Sequence, residues 1–302
     1  RGNEKINIGF RPQDQTRGIM LVLDKDTKKL DIPSVSSFEI KYEDGYDSML
    51  VWWGLADDNF LDYFKFMAFQ VANEAYSAND DQKCLSIFFA HINRWQEFLE
   101  DKGKKPSLEH TKGLFGELLY IEYLYDNQVT GYEEIITGWH EGSDPKRDFY
   151  FEKGSIEIKS TTTNTPDKVK INSLKQLDES TTSNLLFGIV ILTESDSDGM
   201  HLDELVNRLI NKVNEISPNS LTLFRNKLYR QNCFWEIPDY YKDWKFSPYK
   251  IRNFHVKDDF PRITPDDITD INRPGIGKVT YDIGYGNLSK HEIPSSDIKN
   301  IV

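Results

Sequence analysis

The stretch from Asp148 to Thr161 limits the fold of this chain more than any other, because it predicts two paired strands. Residues 148–151 are rich in aromatic side chains, and residues 155–159 alternate polar with apolar side chains, which is the period of a half-buried strand. Lys153-Gly154 predicts the turn between them, since glycine accepts the positive φ angle that hairpin turns require. The stretch therefore predicts an antiparallel hairpin.

The expected register of this hairpin brings three charged side chains to one face. If the turn is even in length and centred on Lys153-Gly154, Asp148 lies opposite Lys159, and Glu157 projects from the same face. Diagonal neighbours across such a ladder are about 7–8 Å apart. Two carboxylates this close repel each other, and a divalent cation, which takes carboxylate oxygens as ligands, offsets that repulsion. An odd-length turn would separate the three residues.

The same residues have an ordinary interpretation as a solvated ion pair. A Glu-x-Lys pair at a protein surface usually contributes about 0–1 kcal/mol and carries no chemistry. Three neighbouring features favour a catalytic site instead: Asp148 upstream of the turn, the turn itself, and the apolar side chains of the opposite face.

Asp148, Glu157 and Lys159 resemble the signature of the PD-(D/E)XK nuclease superfamily, which includes many restriction endonucleases and DNA-repair nucleases. The first acidic residue stands in Arg147-Asp148 where Pro-Asp is usual, with Pro145 nearby. Residues 112–119 resemble the helix that supplies a further acidic residue in that superfamily, which here is Glu117.

A wider pattern is similar to one branch of the superfamily, uncharacterised PD-(D/E)XK-like proteins often found beside restriction–modification genes in bacteria. The motif region covers about residues 107–195, and the flanks resemble that branch more loosely. Besides the residues above, the pattern comprises Trp139, the Ile156–Ser160 run, Ile171-Asn172-Ser173 and Gln176-Leu177.

The resemblance implies a restriction-endonuclease-like fold: α/β in its core and α+β overall, with a mixed sheet flanked by helices. It implies a metal-dependent endonuclease that hydrolyses DNA phosphodiester bonds in restriction or phage defence. The implied cofactor is Mg²⁺, with Mn²⁺ as a substitute. The implied catalytic residues are Glu117, Asp148, Glu157 and Lys159, and the implied metal ligands are Asp148, Glu157, Glu117 and the backbone carbonyl of Ile158.

Three further polar residues near the motif are candidates for substrate binding. The hydroxyls of Ser160 and Thr161 either contact a phosphate backbone or fill a turn, and Gln176 opens a predicted short helix from which its side chain can face the catalytic surface.

Upstream of the motif region, residues 1–105 predict an accessory domain. Four short apolar runs between turn signals predict a small antiparallel sheet, and two stretches with helical spacing of apolar residues predict two helices. The basic link Lys102–Pro106 marks the end of this region. The expected strands are 6–10, 18–23, 37–42 and 48–53, and the expected helices are 57–78 and 82–99.

The catalytic core is predicted to occupy residues 106–195. Ser107 is a suitable cap for a helix that runs to about Asp126, and Gly113 and Gly116 inside it allow close approach to the hairpin. Downstream of this helix we expect strands at 134–137, 168–172 and 185–192 and a short helix at 173–176.

Residues 196–302 predict a C-terminal region that is a second candidate for substrate binding. In its segment 225–257, basic and aromatic residues alternate along the chain. Basic side chains can contact phosphates, and aromatic side chains can stack on unpaired bases. The alternative is that the aromatic side chains form core. The expected elements are helices at 202–216 and 221–233 and strands at 245–255 and 278–284, and the aromatic residues are Tyr229, Trp235, Tyr240, Tyr241, Trp244 and Tyr249.

The composition and net charge of the chain argue against some functional classes of protein. The net charge of −12 argues against a broad nonspecific DNA-binding surface but leaves room for a local cleft. There is no apolar run of membrane length and no signal-peptide pattern, and Cys84 and Cys233 lack metal-ligand spacing. We therefore expect a reduced cytoplasmic protein without membrane association.

Two other functions are compatible with the sequence. One is a non-catalytic DNA-binding or interaction subunit of a defence complex, which the acidic net charge supports. The other is an RNA or structure-specific nuclease, because the catalytic carboxylates act on phosphates and not on sugars. A homodimer is compatible with an enzyme that cuts both strands, since that reaction needs two sites, and partner subunits are compatible with a defence role.

Overall fold

The computed structural model describes residues 5–12, 15–32, 38–55, 61–76, 78, 80–100, 106–140, 147–195, 197–237, 239–268 and 278–302. The chain forms two compact units, residues 1–104 and 105–302. Residues 57–60, most of the link 102–106, and Pro145, to which predictions above refer, lie outside the described residues.

The first unit combines an antiparallel sheet with two helices. Its described elements are β1 (Ile6–Arg11), β2 (Thr16–Asp24), β3 (Phe38–Asp44), β4 (Ser48–Leu55), α1 (Leu61–Tyr76) and α2 (Asp81–Glu100). The strand order is β1-β2-β4-β3. Trp53 is fully buried, and its ring packs against Phe38 of β3, Phe64 of α1 and Phe88 of α2. The core of this unit therefore lies between the sheet and the helices.

The second unit is built on a mixed sheet. Its described elements are α3 (Leu108–Asp126), α4 (Tyr132–Gly138), β5 (Phe149–Tyr150), β6 (Ser155–Thr161), β7 (Lys168–Ile171), β8 (Leu185–Glu194), α5 (Leu202–Ile216), α6 (Leu221–Arg230), β9 (Phe246–His255), β10 (Tyr281–Gly284), β11 (Glu292–Ile293) and α7 (Ser295–Ile298). The strand order is β11-β9-β8-β6-β5, and β7 pairs separately with β10. β6 runs parallel to β8, and the other pairs are antiparallel. This arrangement confirms the predicted fold class.

Helix α3 lies across this sheet. The ring of Phe115 packs against Phe246 of β9 at 5.3 Å, and the ring of Tyr120 packs against Phe149 of β5 at 6.0 Å. The Tyr120 hydroxyl also donates a hydrogen bond to Asn253 of β9, 2.5 Å away. The helix that carries Glu117 is therefore held against β9, β5 and, through Gly116, β6 and β8.

Residues 196–302 belong to the same unit as the predicted core. Strand β8 is buried along almost its whole length, and such a strand needs a partner on each edge. β6 fills one edge, and β9, which comes from the C-terminal region, fills the other. The boundary expected at residue 195 therefore does not separate two regions, because β9, β10 and β11 complete the sheets of the core.

Two predicted elements of the core differ from the structure. Residues 134–137, expected as a strand, lie in α4, where Glu133 and Glu134 occupy the first turn and favour the helix N-terminus. Residues 173–176, expected as a helix, form a turn, and the Gln176 side chain accepts a hydrogen bond from the Asn172 amide, 2.8 Å away. Only a short 3₁₀ turn, Glu179–Thr181, follows before β8.

Helix α6 ends at Arg230, three residues before the expected end. Asn232 has a φ of 53°, in the left-handed region, so the helix cannot continue through it. Among the described helices, none combines the length and the apolar character needed to cross a membrane. Both cysteines are buried free thiols.

Candidate active site

The hairpin forms, but its register differs by two residues from the expected one. Phe149 pairs with Ile156, and the Phe151 amide donates to the Gly154 carbonyl at 2.8 Å, so the turn is centred on Glu152-Lys153. Asp148 therefore lies beside Glu157 and not opposite Lys159. The turn still contains an even number of residues, and a two-residue shift leaves each side chain on its predicted face.

The carboxylate of Asp148 lies at the edge of β6, directly before the first residue of β5. Its amide donates to the Ile156 carbonyl at 3.1 Å, and its Oδ2 accepts from the Ile158 amide at 2.5 Å. The N–H and the C=O of one residue in a strand point to the same edge of that strand. The Ile158 carbonyl therefore points to the edge at which its amide binds Asp148. The short β5 thus leaves a carboxylate and a main-chain carbonyl together at an unpaired strand edge.

Glu157 and Lys159 form an ion pair beside Asp148, in which the carboxylate is buried and the lysine is partly exposed. The Glu157 side chain is 1% exposed, and the Lys159 Nζ donates to its Oε1. Burial and then repulsion by Asp148 raise the pKa of Glu157 to about 8. Burial also raises the pKa of Asp148. Burial alone lowers the pKa of Lys159, but attraction to Glu157 and Asp148 outweighs it, so the pKa of Lys159 is raised and its ammonium stays charged.

Glu117 joins this group from α3. Ser107 caps the helix, as predicted, by accepting from the His110 amide. The Glu117 Oε2 accepts from the indole Nε1 of Trp139, 2.9 Å away. Burial, followed by repulsion from Asp148, raises the pKa of Glu117 to about 8, while the indole hydrogen bond lowers it. The structure therefore brings Glu117, Asp148, Glu157 and Lys159 into one electrostatically coupled cluster.

Gly116 allows α3 to approach β6 closely enough for Glu117 to join the cluster. A Cβ atom at Gly116 would lie 1.8 Å from the Ser160 Oγ and 2.9 Å from its Cβ, whereas a Cβ at Gly113 meets nothing within 4 Å. Of the two glycines predicted to permit close approach, only Gly116 does so. Glu117 follows it directly and is carried to the strand.

Replacing Gly116 by alanine is expected to lower the free energy of unfolding by about 1–3 kcal/mol, because the helix must move away from β6. Gly113→Ala is the matched control and is expected to raise it by roughly 0.5–1 kcal/mol, since alanine favours a helix interior. Urea unfolding measures both. The double variant Gly116→Ala/Ser160→Gly should recover much of the loss. A Gly116→Ala protein as stable as Gly113→Ala would contradict the close approach.

The three side chains predicted to bind substrate, unlike the predicted catalytic residues, do not come together in one cluster. The Ser160 Oγ is buried beneath α3 at Gly116, so it does not face a substrate, contrary to expectation. The Thr161 Oγ1 accepts from the Thr163 amide at 3.2 Å, and Gln176 accepts from Asn172. These two side chains fill turns, which is the alternative that the sequence left open for the threonine.

The aromatic residues of segment 225–257 are mostly core. Tyr229, Trp235, Tyr240 and Tyr241 are buried, whereas Tyr249 is 60% exposed. Burial excludes base stacking by the four buried rings in this conformation. Lys227, one of the basic residues of the segment, is also buried, and its Nζ donates to the carbonyls of Thr137 and Trp139. A lysine on a predicted helix gave no sequence signal for that role.

Arg147 replaces the usual proline beside the first acidic residue and is 1% exposed. Its guanidinium donates to the Thr181 hydroxyl at 3.2 Å and to the Asp178 carbonyl. It therefore ties the 3₁₀ turn before β8 to the start of β5.

The four-residue cluster has the composition of a site for a hard divalent cation. The described residues contain no group of three or more His, Cys, Asp and Glu side chains placed to hold a metal. Mg²⁺, however, usually takes only one or two carboxylates and completes its shell with water and substrate. When its three carboxyl groups are ionised, the cluster with its one ammonium has two negative charges in excess. The donor set and the charge therefore fit one divalent cation.

The comparison with known proteins gives one family. Residues 1–285 match the family model described as "Putative PD-(D/E)XK family member, (DUF4420)". The search of curated proteins and the search of solved structures found no match.

Proposed function

The chain belongs to this PD-(D/E)XK family, and we propose that it is a metal-dependent endonuclease that hydrolyses DNA phosphodiester bonds. One observation carries the proposal: Asp148, Glu157 and Lys159 meet at the strand edge that the short β5 leaves unpaired, and Glu117 joins them from α3. A hairpin with a merely structural ion pair has no need of three carboxyl groups, one of them fully buried, around one ammonium.

Asp148, Glu157 and the Ile158 carbonyl are the proposed ligands of Mg²⁺ or Mn²⁺, with Glu117 as a further ligand or as the residue that holds a water. Such a cation, when bound, lowers the pKa of water and stabilises negative charge on the phosphate. All four donors are oxygen atoms, which suits both ions.

Lys159 is proposed to neutralise charge that develops on the phosphate. Its raised pKa keeps the ammonium protonated, so it donates hydrogen bonds and does not act as a base. Glu157 accepts one of those bonds. Engagement of Glu157 by a cation would leave the Lys159 ammonium available to a phosphate oxygen.

The biological part of the proposal is a cytoplasmic role in restriction or phage defence, on DNA, as a homodimer or with partner subunits. It rests on the family resemblance and on the free, buried cysteines, which suit a reducing compartment. An RNA or structure-specific nuclease would use the same four side chains, and competition between DNA and RNA substrates distinguishes the two.

A non-catalytic DNA-binding subunit is the second candidate. The Glu157–Lys159 pair favours it, because a satisfied ion pair can persist without turnover. A metal titration separates the two functions, since a non-catalytic module has no need to bind Mg²⁺.

The test is cleavage of supercoiled plasmid and of modified phage DNA with Mg²⁺, Mn²⁺ or EDTA. We expect metal-dependent nicking or linearisation that is lost in Glu157→Gln. The matched control is Glu152→Gln in the exposed turn of the same hairpin, which should cleave as the parent does. Binding of DNA by a folded protein that cleaves no substrate with either metal would contradict the nuclease and support the binding subunit.

A further inference from the structure

Helix α6 lies against residues 137–140, at the C-terminal end of α4. The ring of Phe224 packs beside that of Trp139 at 5.9 Å. The Lys227 Nζ donates to the Thr137 carbonyl at 3.1 Å and to the Trp139 carbonyl, and the Gln231 side chain donates to the His140 carbonyl at 3.3 Å. Residues 224 and 227 share one face of α6, and Gln231 follows its last residue, so this face and the C-terminal end of α6 contact residues 137–140.

The contacted segment binds the carboxylate of Glu117 and the main chain of Asp148. The indole of Trp139, fully buried, donates to Glu117. The next residue, His140, donates through its amide to the Asp148 carbonyl at 2.8 Å, and Trp139 forms an isolated β-bridge with Phe149. Movement of this short segment would therefore displace both Glu117 and Asp148.

Lys227 is a costly residue for a purely packing role. It is 7% exposed, and a buried ammonium loses its hydration unless carbonyl or carboxylate oxygens replace the water. Its acceptors lie at and just beyond the C-terminal end of α4, where the helix dipole favours a positive charge. The ammonium thus binds the main chain at a defined place, whereas an apolar side chain of similar length would only fill the volume.

We propose that Trp139 and Lys227 are positioning residues of the candidate active site. Lys227 fixes the main chain at Trp139, and the Trp139 indole N–H fixes the carboxylate of Glu117 toward Asp148 and Glu157. The consequence for catalysis rests on the proposed nuclease function, but the positioning itself can be measured without it.

The test compares Trp139→Phe and Lys227→Met with two control variants. Arg225→Met removes a positive charge from the exposed side of α6, and Val213→Ala destabilises the unit through the core of α5. Two quantities are measured on the full chain: the Mn²⁺ dissociation constant by calorimetry, and the ¹⁵N–¹H resonance of the Trp139 indole with its rate of hydrogen exchange. The Mn²⁺ concentration for half-maximal plasmid cleavage is measured as well.

We expect Trp139→Phe to weaken Mn²⁺ binding by about 10–100-fold, the usual cost of removing a hydrogen-bond partner of a metal ligand, and Lys227→Met to weaken it in the same direction. Arg225→Met and Val213→Ala should leave it unchanged, so that loss of stability alone is excluded as the cause. The indole resonance should be protected from exchange in the parent and should shift in Lys227→Met and in Glu117→Ala.

Unchanged Mn²⁺ affinity in Trp139→Phe, or an indole resonance that ignores Glu117→Ala and Lys227→Met, would overturn the positioning role. Failure of the nuclease proposal has a different signature: the parent cleaves nothing, while the indole resonance still responds to both variants. A parent that neither binds Mn²⁺ nor shows a protected indole would overturn both.

Discussion

Replacing Lys159 by methionine is expected to lower metal-dependent cleavage by about 10²–10³-fold, the usual cost of removing one group that stabilises charge in a transition state. Methionine keeps the length of the side chain and removes only its charge and its hydrogen bonds. The fold should persist at pH 6.5, because Glu157, whose pKa is raised to about 8, carries a proton at that pH and leaves no unpaired buried charge when Lys159 is lost. Plasmid cleavage and urea unfolding measure the two effects.

Lys153→Met is the control for this variant. Lys153 lies in the exposed turn of the same hairpin, so its loss removes an equal charge without entering the cluster. Cleavage by Lys159→Met at the rate of Lys153→Met would refute the catalytic assignment of Lys159. An unfolded Lys159→Met protein at pH 6.5 would instead show that the ion pair is needed for stability.

In EDTA, the free energy of unfolding is expected to fall as the pH rises from about 4.5 to about 8. Burial and repulsion by Asp148 raise the pKa of Glu117 to about 8 in the folded protein, above the value of an unfolded chain. A carboxyl group of this kind binds its proton more tightly when folded, so its contribution to stability is present at low pH and is lost through this window.

Glu117→Gln removes this titration while its amide oxygen still accepts from Trp139. At pH 8.5 in EDTA we expect it to be more stable than the parent by about 2–4 kcal/mol, or roughly 4–12 °C in melting temperature. Addition of 10 mM Mg²⁺ should stabilise the parent and reduce the difference, because a bound cation offsets the repulsion.

One control variant tests this prediction. Glu109→Gln, an exposed substitution in the first turn of the same helix, should leave the pH dependence of the parent unchanged. Equal pH dependence in the parent and in Glu117→Gln would show that Glu117 is ionised at no cost and would contradict the electrostatic coupling of the cluster.

Local patterns were sufficient to predict the parts of the site that lie close together in sequence. The alternation from Ser155 to Lys159 placed Glu157 and Lys159 on one face, and glycine at position 116 predicted the close approach of α3 to β6, which the structure confirms. Each of these inferences depends on neighbours within a few residues, where backbone periodicity leaves few alternatives.

The register of the hairpin needed the rest of the molecule. The aromatic run and the turn residues allow two even registers, and both put the same side chains on the same faces. In the observed register, the Phe151 amide donates to the Gly154 carbonyl, and the Ser155 amide donates to the Asn184 carbonyl of the segment before β8. The hairpin sequence carries no signal of its contacts with that segment.

The sequence by itself determined the hairpin, the helix of Glu117 and the carboxylate–lysine group, because strand alternation and helical spacing are local properties. Only the tertiary structure decided that Lys227, distant in sequence, lies behind Trp139, and that four aromatic residues predicted as candidates for base stacking are core. A buried lysine and an exposed one have the same local pattern. Lys227 is buried because α6 packs against residues 137–140. This packing depends on the elements that lie between α6 and these residues in the chain.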